Sequence, residues 1–342
     1  MMKNITVVEP KKLDEQILKT EKCVCFVFTS LGNKEPYIES LEKYLKGEAS
    51  SAAHALEKEQ WFLSVDVANV MRQKAKLFSD FAEANKENKN ITFLIMGQTD
   101  ENHKGSSIYL YQAGSHPNTD FEPLSKPEKI TVSDIDCDKV SVEISPPKFG
   151  AKNITSYRVE FKVEGEEEWR QITAGSAEVT LKDLELNTEH RVRCRAVTGV
   201  GVSPVHELEE TVRTLPCSAP RKLQVEVHST EMSVKWEKPA AVAQNTDMLG
   251  YVVEYAQSED GQALQWKQEY SVVQRLDIPG LQAGTQYAVR VHCDCGFSGR
   301  SKDTEIMYVV TTKRQYERTA EYLKNISKEI KSSSYLRSSN CP

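Results

Sequence analysis

The spacing of apolar and polar residues changes near residue 126. Before that point, a continuous apolar run at Cys23–Thr29 predicts a strand buried on both faces. Residues 37–45 and 67–81 place apolar side chains at three- and four-residue steps, which predicts two helices. We expect Asp66 to cap the second helix. After residue 126 the alternation is typical of strands, so an α/β unit precedes a β-rich region.

Two more strands are predicted in the α/β unit, at 91–96 and 108–111. The loop that joins them is polar and contains Gly97 and Gly105, which favours a hairpin. The expected order is β-α-α-β-β, with a small sheet beside the helices.

The amino-acid sequence of this unit resembles that of the thioredoxin-like domain of the stonefish-toxin family, the stonustoxins and verrucotoxins. The segments that carry the resemblance are 25–31, Trp61-Phe62, 71–82 and 108–114. The resemblance implies a shared module over residues 1–125. It does not imply lytic activity, because the perforin-like, helical and PRY-SPRY domains of that family find no match in this sequence.

The β-rich region contains an internal repeat. Residues 184–193 return as 281–290, and Trp169 pairs with Trp266 at the same offset of 97 residues. A period near one hundred is too long for a solenoid repeat and fits a whole β-sandwich. The sequence therefore predicts two copies of one sandwich.

Both copies resemble fibronectin type III domains. In the second copy, Trp236 matches the core tryptophan of that family, and Tyr287 matches the tyrosine of its corner motif. The first copy has Ile144 and His190 at these places, so we expect the same topology with lower stability. The connecting segment 214–220 contains two prolines, which favours a semi-rigid, end-to-end arrangement.

The predicted architecture is a multidomain α/β plus all-β chain. It comprises a redox-inactive thioredoxin-fold domain at 1–125, two seven-stranded immunoglobulin-like sandwiches at 126–215 and 216–312, and a basic amphipathic helix with a disordered end at 313–342.

Composition narrows the classes of partner. The 342 residues carry a formal net charge of -6, which gives no reason to expect nucleic acid. No apolar run approaches the ~20 residues of a membrane span, and the first residues lack the apolar stretch of a signal peptide. We expect a cytoplasmic protein, with unconventional secretion as the alternative.

The motifs of common catalytic sites have no match in the sequence. A thioredoxin-type enzyme needs Cys-X-X-Cys after its first long strand, and residues 30–36 contain no cysteine. Cys23 and Cys25 lie within the strand, where packing is the expected role. Cys293 and Cys295 project to one face of a strand and His292 to the other, which disfavours a metal site. We therefore predict no catalytic, cofactor-binding or metal-binding residue.

The C-terminal tail carries the one predicted partner-binding surface. Its seam has apolar residues at coiled-coil spacing and is surrounded by lysine and arginine. The predicted anchors are Tyr316, Leu323, Ile326 and Ile330, and they suit a partner helix or self-association.

The resulting hypothesis is a non-enzymatic protein-interaction or scaffold protein related to the stonefish-toxin family. Its protein partner is not named by the sequence. Two alternatives stay open: a component or relative of a pore-forming cytolytic toxin, and a thiol oxidoreductase that uses Cys23 and Cys25.

Overall fold

The computed structural model describes residues 4–29, 64–100, 102–113, 115–258, 264–313, 319 and 322–328. The chain divides into two compact units. The first comprises Met1–Ser133, Ser141–Thr180 and His190–Val212. The second comprises Asp134–Val140, Leu181–Glu189 and Arg213–Pro342. Each unit is described by itself.

The first unit begins with a four-stranded sheet and a long helix. The elements are β1 (Ile5–Val7), α1 (Leu13–Ile17), β2 (Lys22–Phe28), α2 (Val65–Ala84), β3 (Ile91–Gly97) and β4 (Ser106–Gln112). The strand order is β1-β3-β2-β4. Cys23, Val24, Cys25, Phe26 and Val27 are all buried, which confirms that β2 is covered on both faces.

The predicted hairpin between β3 and β4 is wrong. Strand β2 lies between them, parallel to β3 and antiparallel to β4, with Cys25 opposite Leu94 on one side and Tyr109 on the other. A strand that is buried on both faces usually lies in the centre of a sheet, as β2 does here. The glycine-containing loop between β3 and β4 is typical of a hairpin, although the two strands are not neighbours in the sheet. Strand β1 and helix α1 were not predicted, because three and five residues are too few to show a period.

Helix α2 is capped by Ser64, whose side chain accepts a hydrogen bond from the backbone N–H of Val67 at 3.4 Å. The expectation that Asp66 caps it was wrong, since Asp66 lies in the first turn. Lys74, the polar interruption on the apolar face, donates from Nζ to the Ser106 carbonyl at 3.1 Å. Phe81 is fully buried at the far end. The helix predicted at 37–45 falls outside the described residues.

The first sandwich follows without an α-helix. Its strands are β5 (Pro127–Ile135), β6 (Val140–Pro147), β7 (Ile154–Val163), β8 (Arg170–Ala174), β9 (Glu178–Leu181), β10 (Glu189–Thr198), β11 (His206–Glu207) and β12 (Val212–Arg213). One sheet has the order β5-β6-β9, and the other β11-β10-β7-β8 with β12 also paired to β10. There are eight strands where seven were predicted, because the last one is split into two short pieces.

Within its described residues, 216–258 and 264–312, the second sandwich has seven strands. They are β13 (Arg221–Val227), β14 (Glu231–Glu237), β15 (Gly250–Gln257), β16 (Lys267–Ser271), β17 (Arg275–Pro279), β18 (Gln286–Asp294) and β19 (Met307–Val310). The sheets have the orders β13-β14-β17 and β16-β15-β18-β19. The Trp236 and Tyr251 rings pack at 5.3 Å in the core. The Tyr287 hydroxyl accepts a hydrogen bond from the Gln282 N–H at 3.0 Å, which is the predicted corner.

Hydrogen bonds on both sides hold the segment 214–220 in the second unit. The Asn187 N–H donates to the Leu215 carbonyl at 3.1 Å, and the Ser218 N–H donates to the Ala241 carbonyl at 2.9 Å. The predicted stiffness of this segment, its end-to-end geometry and the numbered domain boundaries stay predictions. Residues 322–328 form a helix. Within the described part of the chain, no helix has both the length and the apolar character needed to cross a membrane.

Candidate functional site at the loop ends of the sandwiches

The cysteines of β2 have the properties of packed side chains. Cys23 and Cys25 are 0% exposed. Burial raises the pKa of Cys23 to about 12, and burial followed by the charge of Cys23 raises the pKa of Cys25 further. A thiol attacks as the thiolate, which these environments disfavour at neutral pH. The geometry therefore gives no support to a redox centre here.

A loop of the first sandwich is clasped by the N-terminal domain of the same unit. Asn85, the C-cap of α2, donates from Nδ2 to the Val202 carbonyl at 2.8 Å and accepts the Val202 N–H on Oδ1 at 2.9 Å. The same Nδ2 donates to the Phe81 carbonyl at 2.8 Å. One amide side chain thus satisfies both backbone groups of Val202 and ties the helix to the loop.

The fit is close because this loop lacks side chains where the helix approaches. A Cβ on Gly201 would lie 2.5 Å from Asn85 Oδ1 and 3.0 Å from Phe81 Cζ. Lys22 adds a hydrogen bond from Nζ to the Gly199 carbonyl at 2.6 Å. The loop after β10 is therefore an occupied docking site.

The second sandwich has the equivalent loop after β18. In the first copy the Ala196 N–H donates to the Ser203 hydroxyl at 2.9 Å, and in the second the Cys293 N–H donates to the Ser301 hydroxyl at 2.9 Å. The return bonds also match, from Ser203 N–H to the Ala196 carbonyl at 2.9 Å and from Ser301 N–H to the Cys293 carbonyl at 3.1 Å. The separations are seven and eight residues, so the second loop is one residue longer.

Apolar side chains are exposed on this second loop, just before β15, and at the end of β16 with the turn that follows it. We call the set the apolar loop end: Leu249 (54% exposed), Tyr270 (49%), Val272 (69%), Val273 (57%) and Phe297 (114%). Leu249 Cδ1 lies 2.9 Å from the place of a Cβ on Gly296, and the Tyr270 hydroxyl covers Gly250. Leu249 therefore lies beside the loop after β18, and Tyr270 lies beside the start of β15.

Each sandwich also stacks an arginine on a tryptophan. The Arg193 guanidinium lies 3.8 Å from the Trp169 ring centre, and Arg290 lies 4.2 Å from that of Trp266. Each arginine is paired with a glutamate of the adjacent strand, Glu160 or Glu254. Because these cations are already paired, the stacks stiffen the sheets and leave little charge for an anionic ligand.

Glu254, His292 and Asp303 bring potential metal ligands together in the described part of the second unit. Arg290 Nε is 2.5 Å from Glu254, Arg290 Nη1 is 3.2 Å from Asp303, and Arg300 is 2.7 Å from Asp303. Desolvation would raise the pKa of Glu254, but hydrogen bonds from Gln268 and Arg290 outweigh it and lower the pKa. Guanidinium groups already neutralise both carboxylates, so a metal ion has no excess negative charge to bind.

The predicted tail anchors are only partly described. Leu323 and Ile326 lie in the helix at 322–328, where Leu323 is 59% exposed and Ile326 is half-buried. Tyr316 and Ile330 lie outside the described residues. A surface formed by the four anchors together therefore stays a prediction.

The apolar loop end was missed from the sequence. The pattern of Gly296–Gly299 is typical of a turn after a core cysteine, and none of the candidate residues predicted above lies in it. The sequence did contain a sign that Phe297 is exposed. An aromatic residue between two turn glycines has no strand face on which to pack. The approach of Leu249 to Gly296, which is 47 residues later in the chain, could not be inferred from local spacing.

Two models of known protein families match this chain, and their limits agree with the architecture described above. The model of the fibronectin type III domain matches residues 125–212 and 218–307, more than half of the chain. The chain belongs to the fibronectin type III family. The model of the thioredoxin-like SNTX domain matches residues 4–123, so the N-terminal domain is of the stonefish-toxin type.

Curated relatives match different parts of the chain. It is 32% identical over 205 residues to human receptor-type tyrosine-protein phosphatase F, over 53% of this chain and 11% of that protein. It is 31% identical over 115 residues to stonustoxin subunit alpha of Synanceia horrida, over 32% of this chain and 16% of that protein. The chain thus spans a small part of either relative. The solved chicken CNTN1 FN1-FN3 domains are 21% identical with a TM-score of 0.33, covering 61% of this chain and 77% of that one.

Proposed function

We propose that this chain is a non-enzymatic protein-binding scaffold whose apolar loop end captures a protein partner. One observation carries the proposal. The loop after β10 in the first sandwich is docked against α2 through Asn85 and Phe81, whereas the equivalent loop in the second sandwich presents an uncovered Phe297.

The side chains of the apolar loop end suit a protein surface. Contiguous exposed apolar groups mark interaction sites, and aromatic residues at the centre of such patches supply much of the binding free energy. Phe297 stands at the tip of its loop and Tyr270 keeps a polar hydroxyl at the edge. The partner therefore has an apolar pocket that receives Phe297, with Leu249 beside it.

Two observations support a non-enzymatic role. Cys23 and Cys25 are buried thiols with raised pKa values, which disfavours the thiol oxidoreductase alternative. The Trp169 and Trp266 stacks are structural in character because their arginines are paired. A cytoplasmic location belongs to the same proposal. Self-association through the tail anchors Tyr316, Leu323, Ile326 and Ile330 is its proposed second surface.

The test compares two double variants of the full chain. The first is Leu249→Ser with Phe297→Ser, in the apolar loop end. The control is Tyr308→Ser with Val310→Ser, which also removes two exposed apolar side chains (54% and 56%), here from strand β19. Wild-type and variant chains are immobilised, and proteins retained from source tissue are measured by quantitative mass spectrometry.

The loop-end variant should lose at least ~10-fold of a specific partner, which is about 1.4 kcal/mol. The β19 variant should retain it. Equal retention by all three chains, or a loss confined to the β19 variant, would reject the proposal.

The cytolytic alternative rests on the similarity of residues 4–123 to the SNTX domain and on relatives such as cytolytic toxin-beta of Scorpaena plumieri, 28% identical over 124 residues. Haemoglobin release from erythrocytes by the purified chain, with and without extract of the source tissue, distinguishes the two functions. Dose-dependent release that is blocked by antibody to this chain would favour the cytolytic function over the scaffold.

A further inference from the structure

Three buried cysteines converge in the second unit, and none of them belongs to the apolar loop end. Cys217 comes from the segment 214–220, Cys293 from the end of β18, and Cys295 from the loop that follows. Their exposed fractions are 0%, 0% and 4%. The equivalent positions of the first sandwich, Ala196 and Thr198, carry no sulfur.

Two of these thiols touch. Cys217 Sγ and Cys295 Sγ are 3.5 Å apart, although the residues are 78 positions apart in the chain. A disulfide has an S–S bond of about 2.05 Å, so the two sulfurs must approach by only about 1.5 Å, a distance within reach of side-chain rotation.

The backbone holds both cysteines in place. Cys217 forms an isolated β-bridge with Val242, and the Ala243 N–H donates to the neighbouring Pro216 carbonyl at 2.9 Å. The Cys295 N–H donates to the Gly299 carbonyl at 2.9 Å, and its own carbonyl accepts the Ser298 N–H at 3.1 Å. Both thiols therefore start from fixed positions, and bond formation does not require either segment to unfold.

We propose that Cys217 and Cys295 form a reversible disulfide site, which ties the segment 214–220 to the loop after β18. The inference concerns the cysteines alone and stands whether or not the apolar loop end binds a partner.

The chemistry balances with hydrogen peroxide as oxidant. The Cys295 sulfur attacks one peroxide oxygen, the O–O bond breaks, and the thiol proton passes to the departing hydroxide, so that the products are Cys295 sulfenic acid and water. The Cys217 sulfur then attacks the sulfenic sulfur, an S–S bond forms, and the sulfenic hydroxyl takes the Cys217 thiol proton and leaves as a second water. The two cysteines lose two electrons and two protons in total. A dithiol reductant reverses the reaction.

The experiment uses the full chain, purified reduced and then treated with hydrogen peroxide. Remaining thiols are alkylated under denaturing conditions, and non-reduced peptides are mapped by mass spectrometry. We expect one species that joins Cys217 to Cys295, lighter than the sum of its reduced peptides by two hydrogen atoms. Thermal unfolding should move up by at least about 5 °C, because the link restricts the unfolded chain, and dithiothreitol should reverse the shift.

Two variants accompany the wild type. Cys295→Ala should lose both the linked peptide and the thermal shift. Cys137→Ser is the matched control, since its thiol lies 3.9 Å from Asp138 rather than beside sulfur, and it should keep both. The proposal is overturned if peroxide leaves Cys217 alkylated, joins it to Cys293 or to another chain, or shifts the unfolding of Cys295→Ala as much as that of the wild type.

Discussion

The two sandwiches have equivalent loops, one of which is covered by a neighbouring domain while the other is exposed. In the first, the loop after β10 is occupied by Asn85 and Phe81 of the N-terminal domain. In the second, the loop after β18 keeps the same serine-anchored backbone pattern yet exposes Phe297 completely. A shared fold therefore does not fix how a loop is used. The side chains at its tip do.

Glycine and phenylalanine account for the difference. Gly201 lets the end of α2 approach to a distance that no Cβ would allow. Phe297 instead projects a large apolar surface that has no intramolecular partner in the described second unit. The first loop connects two domains within the first unit, and the second loop has an exposed apolar side chain at its tip.

The largest effect is expected from Asn85→Ala. Both backbone groups of Val202 would lose their partner, and each buried polar group left unpaired costs about 1–3 kcal/mol. We expect a loss of about 2–4 kcal/mol in the free energy of unfolding of the first unit, measured by urea denaturation. Asn69→Ala, on the exposed face of the same helix, is the control and should change stability by less than about 0.5 kcal/mol. Equal effects of the two variants would refute the clasp.

Gly201→Ala tests the close approach directly. Its Cβ would push against Asn85 and Phe81, and over-packing of this kind costs about 1–3 kcal/mol. Gly199→Ala is the matched control, because a Cβ there meets nothing within 4 Å. Thermal unfolding should be lowered by the change at 201 and left nearly unaltered by the change at 199. The reverse order would contradict the packing.

Tyr287→Phe probes the corner of the second sandwich. Removing the hydroxyl leaves the Gln282 N–H without its partner, at a cost of about 1–2 kcal/mol. Tyr308→Phe, on an exposed tyrosine of β19, should be neutral. Guanidinium denaturation of the two variants measures the difference. Equal stability would mean that water replaces the phenol at no cost.

The sequence revealed the fold better than the site. Trp236, Tyr287 and the 97-residue recurrence are strong local signals, so the sandwiches and the corner were predicted correctly. The crossing of β2 between β3 and β4 was missed because strand order depends on long-range pairing. Leu249, Tyr270 and Phe297 of the apolar loop end come from three separate segments of the chain, and no short window contains all of them.

The smallest expected effect is a pH dependence of stability that arises in the N-terminal domain. The hydrogen bond to Asp100 raises the pKa of His103 above its usual value of about 6.5, and Asp120 adds to the shift. A raised folded-state pKa gives stability that is full below about pH 6.5 and is lost as the pH rises through the folded value. The first unit should therefore unfold at lower urea at about pH 8 than at about pH 6. His103→Gln should flatten this difference, and an unchanged pH profile would exclude His103 as its source.

The central claim is that the apolar loop end binds a protein partner. The most direct test is hydroxyl-radical footprinting of the chain, both alone and in complex with the partner that the immobilised chain retains. In the free chain Phe297 should be labelled strongly and Phe81 weakly, since one is exposed and the other buried. Binding should suppress the labelling of Phe297, Tyr270 and Leu249 while Tyr308 stays unchanged. Full labelling of Phe297 in the complex, with protection elsewhere, would contradict the account.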